Sequence, residues 1–144
     1  MGVARALRGV AGGLAALAAV GLAGEASAHH SFAMFDQNKQ VSLVGTVKEF
    51  QFTNPHAFIE IITPNPDGGA PTEYSVELNS PNNLRRQGWK RDSLKPGDHA
   101  TVVMNPLRDG KHGGLFVSAT LPDGKVLGDQ TKAGGRPVNV PVVQ

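Results

Sequence analysis

Between residues 41 and 127 the sequence breaks into short runs of alternating apolar and polar residues. Each run closes on a proline or glycine turn, and only one stretch carries the punctuation of a helix. Alternation at period two predicts strands. The first run covers residues 41–52, where Val41, Leu43, Gly45 and Val47 share one parity against Ser42, Thr46 and Lys48. Gly45 inside this run predicts a bulge or a sharp coil. Thr53-Asn54-Pro55-His56 ends it, because Pro55 has no N–H for a ladder. Residues 57–63 and 73–78 give the second and third strands, separated by turn chemistry over 64–72. Ser80-Pro81 predicts a helix start, with Ser at the cap and Pro at the first helical position, and Gly88 a stop. Leu84 is the one strongly apolar residue before Trp89, so this helix is short and docks by one or two side chains. Lys95-Pro96-Gly97-Asp98 turns into a fourth strand over 100–104. A glycine-containing loop over 105–114 leads to a fifth over 115–121, and Asp123-Gly124 turns back to Val126 and Leu127.

Three strands, a short helix and two more strands form an order that an all-β, five-stranded OB-fold-like barrel satisfies. Closure also protects the strand edges of so small a β protein. A β-sandwich is the alternative, but it calls for about seven strands. Residues 29–127 are expected to form this β domain. Residues 128–144 show no periodicity and read as a flexible tail.

The first 28 residues are of another kind. Arg5 and Arg8 precede an uncharged Ala, Leu, Val and Gly run, and Ala26-Ser27-Ala28 presents small side chains for cleavage before His29. This predicts a signal peptide over 1–28 and a periplasmic or secreted protein with no membrane span after processing. The mature chain keeps 12 basic and 11 acidic residues. That near balance argues against a nucleic-acid partner, despite a pI of about 9.2. The absence of Cys excludes disulfides, thiolate metal sites and a Cys nucleophile.

Histidine is the main chemical signal. Cleavage before His29 would offer an α-amine and an imidazole from one residue. Both release a proton near neutral pH, and nitrogen-rich donor sets favour Cu(II). In an OB-fold the loops joining strands one to two and four to five border one face, and His56 and His112 fall in those loops. His29, His30, His56 and His112 are therefore the candidate metal ligands, with copper the candidate ion. The alternative is that each is a solvated or turn residue. A second candidate set is Arg85 and Arg86, with Lys90 and Arg91, around Trp89 and near Asn54. It suits an anionic or other small ligand, or a protein partner, in a metal-free binding or adaptor module; the alternative is a solvated face. No GxSxG, HExxH, Walker or Rossmann motif occurs, so no catalytic residues are assigned.

The blocks His29-His30-Ser31-Phe32, Thr53-Asn54-Pro55-His56, Ser80-Pro81-Asn82 with Gly88-Trp89, Lys95-Pro96-Gly97-Asp98 and Leu107-Arg108-Asp109-Gly110 occur in that order. In this the chain resembles a family of small exported bacterial proteins catalogued as a domain of unknown function. The resemblance spans residues 29–127. It implies export and marks His29, His30, Asn54, His56 and Trp89 as motif positions; it implies no activity.

Overall fold

The computed structural model describes residues 32–128 and Val142–Val143. The expected signal segment, His29 and His30 lie outside the described residues, as does the expected tail apart from Gly128 and Val142–Val143.

Eleven residues make β1, Val41–Gln51, the longest strand. Its first half pairs antiparallel with β4, His99–Pro106, and its second half with β2, Phe58–Thr63. Thr46 faces partners in both. At this handover Gly45 lies so close to the Ile62 carbonyl that a Cβ there would overlap it. The bulge falls three residues later than Gly45: between Val47 and Glu49 the register slips by one, leaving Lys48 unmatched. Because side chains alternate with period two, the slip switches the inward face. Leu43 and Val47 face the core before it, and Phe52 after it.

β2 pairs antiparallel with β3, Thr72–Glu77, and β3 pairs parallel with β5, Gly113–Thr120. β5 pairs with β4, which returns to β1. The circuit β1-β2-β3-β5-β4-β1 is a closed five-stranded barrel of the OB-fold kind, with α1, Pro81–Arg86, between β3 and β4. β6, Val126–Gly128, extends β5 at the edge. The last two described residues, β7, pair parallel with Ser42 and Leu43 of β1.

β4 and β5 are longer than their apolar runs, because Gly113 and Gly114 are strand residues rather than loop residues. A Cβ on Gly114 would overlap the Asn105 carbonyl, so glycine is what permits this close pairing. The Ser80 side chain makes no cap hydrogen bond; instead the Asn79 amide oxygen accepts from the Ser80 N–H at 2.7 Å and from Asn83 Nδ2 at 2.9 Å.

Leu84 of α1 and Trp89 just beyond it join Phe52, Ile59, Ile61, Val76 and Val102 in one core, all 2 % exposed or less. Trp89 Nε1 has no hydrogen-bond partner. The indole meets the Phe116 ring edge-on at 5.5 Å, an arrangement in which an aromatic face can receive an N–H.

Ahead of β1, a 3-10 turn over Phe32–Met34 leads to Phe35, which is buried and bridges Leu107. Arg108 donates its backbone N–H to Met34 and its Nε to the Ala33 carbonyl, at 2.9 and 3.0 Å. The Leu107-Arg108-Asp109-Gly110 block therefore anchors the segment that precedes the barrel.

Candidate functional site

Pro55 stops the β1 ladder, and the backbone rejoins at Ala57, whose N–H donates to the Asn79 carbonyl. His56 is held between these two points. β2–β3 register sets Phe58 opposite Glu77, which brings the Glu77 carboxylate into hydrogen-bonding contact with His56 Nδ1. The Glu77 side chain is 15 % exposed and His56 36 %, so the pair sits at a rim. Beside it opens a pocket of about 300 Å³. His56, Glu77, Asn79 and Gln87 form its polar side, and Leu84, Leu115, Phe116 and Val117 its apolar side. Phe32, 63 % exposed, lines the same pocket. A histidine whose Nδ1 is engaged by a carboxylate has its ring orientation set by that contact.

His112 is placed elsewhere. Its ring packs on Tyr74 at 5.1 Å, three residues up β3 from Glu77, or about 10 Å at strand rise. Among the described residues no three His, Asp or Glu side chains converge as a metal centre.

The second candidate set is rearranged relative to expectation. Trp89 is 1 % exposed, so its indole is a core residue and offers no stacking face to a ligand. Phe52 is the ring that receives cations: the Arg85 guanidinium lies 5.3 Å from its centroid and Arg91 5.8 Å. Arg86 and Lys90 are exposed, and so is Asn54 in the β1–β2 loop. Sequence reasoning did not single out Glu77 or Phe52. Glu77 is found only through strand register, and Phe52 only through the bulge that turns it inward.

The outer face of β2 and β3 is acidic. Glu60 and Glu73 point outward by alternation with the buried Ile59, Ile61 and Val76, and Glu49 pairs directly with Glu60. Lys48 bonds Glu73 at 2.7 Å. Its ammonium is held above the ordinary lysine range, first by that hydrogen bond and the Glu73 charge, with Glu60 and Glu49 adding to it.

A closed OB-fold-like barrel with a histidine–carboxylate pair beside a half-apolar surface pocket defines a class: a small β-barrel protein with a candidate ligand site at the barrel rim. The chain belongs to the family of unknown function DUF6152, whose model matches residues 16–117. No curated protein matches it. Among solved structures it is similar to a mitochondrial single-stranded DNA binding protein from S. cerevisiae, Rim1. Identity is 16 %, with 60 % of this chain and 93 % of that chain covered and a TM-score of 0.44.

Proposed function

We propose that the protein is an exported metal-binding module, with copper preferred. His29, as the processed N-terminus, would supply its α-amine and imidazole, and His56 a second ring. One observation carries the reading: Phe32, three residues after His29 in sequence, lines the same pocket as His56. Glu77 on Nδ1 is the outer-shell partner that metal-binding histidines commonly have. An amine and two imidazoles form a donor set suited to Cu(II). His30 is a further candidate donor, and the ring contact with Tyr74 makes His112 the least suited of the four.

The acidic β2–β3 face supports a partner other than nucleic acid. That face is where OB-folds bind oligonucleotides. Here its charges would repel a phosphate backbone, and Lys48 is already committed to Glu73.

The test is Cu(II) titration of the mature chain against a competing chelator. The native chain is expected to bind one equivalent, and His29→Ala and His56→Ala each to weaken binding at least about 10-fold, in line with loss of one ligand. Unchanged affinity in both variants would overturn the reading, and no Cu(II) binding by the native chain would favour a metal-free ligand-binding module instead.

A further inference from the structure

Four of the seven residues in segment 85–91 are Arg85, Arg86, Lys90 and Arg91. Over residues 80–97 Asp92 is the sole acid. Each of the four cations is exposed, and among the described residues none forms an ion pair. Arg85 uses one N–H on the Asn82 amide oxygen, at 3.1 Å. Two guanidiniums nevertheless converge on Phe52, at 5.3 and 5.8 Å from its centroid. The ring attracts each of them, and their like charges oppose the approach. Phe52 is itself 2 % exposed, so it is a fixed ring against which both guanidiniums rest. Three carboxylates, Glu49, Glu60 and Glu73, share the outer face of β1, β2 and β3, where Glu73 is already paired with Lys48. A cationic site resting on a buried ring and lacking an internal counterion is completed by an external anion. Guanidinium forks match the oxygens of phosphate, and several charges in one place suit a dianion.

We infer that segment 85–91 binds a phosphate group, held by Arg85 and Arg91 on the Phe52 platform with Arg86 and Lys90 beside them. The inference uses residues separate from His56 and Glu77 and does not depend on metal binding. The phosphate could be free in solution or be the headgroup of an anionic lipid. Trp89, the single tryptophan, lies within the segment and contacts Phe50 at 5.4 Å, so its fluorescence reports on the site.

The full mature chain would be titrated with inorganic phosphate, with chloride at matched ionic strength as control. It would also be sedimented with phosphatidylglycerol vesicles and with phosphatidylcholine vesicles. A saturable response to phosphate identifies a free anion as sufficient. Selective sedimentation with phosphatidylglycerol identifies a headgroup. Either response should fall at least about 10-fold in Arg85→Gln/Arg91→Gln, and by less in Arg85→Lys/Arg91→Lys, which keeps charge but loses the fork. Should the glutamine double variant fail to fold, Arg86→Gln/Lys90→Gln provides the same reading from exposed side chains, with a loss of at least about 3-fold expected. A phosphate response equal to that of chloride, together with no preference for phosphatidylglycerol, overturns the inference. So does native binding in a folded glutamine variant.

Discussion

His56 stands out in the sequence because Thr53-Asn54-Pro55 marks a loop and histidine is a ligand type. Its partner does not stand out: Glu77 lies 21 residues away and arrives only when β2 and β3 pair. If Glu77 sets the His56 ring, Glu77→Gln should keep the fold and weaken Cu(II) binding about 10-fold. The Cu(II) spectrum should also change, which a merely structural substitution would not cause. Asp109 allows a pH test at the same scale. Its carboxylate is held below the ordinary aspartate range, first by the Lys111 backbone N–H at 3.0 Å and then by the Lys111 side chain at 3.1 Å. A carboxyl with a lowered folded-state pKa stabilises the fold above the unfolded pKa, and this is lost as pH falls through the folded value. Asp109→Asn should therefore melt slightly below the native chain at pH 7, and the two should melt together once the pH has fallen through the lowered folded-state value. The effect is small because the pair is open to solvent.

Strands and helix were legible as elements because Pro and Gly punctuate nearly every turn; their irregularities were not. The sequence places the irregularity of β1 at Gly45, whereas the bulge lies at Lys48, where it reverses the parity and sends Phe52 inward. Nothing in the composition of 41–52 marks Lys48, since a bulge is set by pairing with β2. Gly113 and Gly114 read as loop for a related reason: their value is in how closely β4 approaches, which only the folded sheet reveals. Gly45→Ala should destabilise the protein by about 2 kcal/mol or more, because the Ile62 carbonyl is backbone and yields poorly. The short α1 holds to the barrel through Leu84 and the adjoining Trp89. Leu84→Ala should cost about 3 kcal/mol through lost burial and the cavity left behind. Urea denaturation, with the midpoint shifted and the slope unchanged, checks both.

At the level of the molecule, closure through the parallel β3–β5 pair removes the edges that a five-stranded sheet would expose. The barrel also separates some of its charge, with Glu60 and Glu73 on the outer face of β2 and β3 and, at the end of α1 and just after it, four cations without an ion pair among the described residues. A net charge of +2 conceals that separation, which depends on which residues share a face. The fold class followed from element order, and the site only in part. Phe35 and Arg108 tie residues 33–35 to the β4–β5 loop, contacts that no pattern in the sequence marks. The most direct test compares Cu(II) affinity of a chain beginning at His29 with that of the same chain carrying one added Met before it. The extension keeps every side chain and moves only the α-amine. At least about 100-fold weaker binding by the extended chain is expected if that amine is a ligand. Equal affinity in the two chains, or no binding by the chain beginning at His29, would contradict the account.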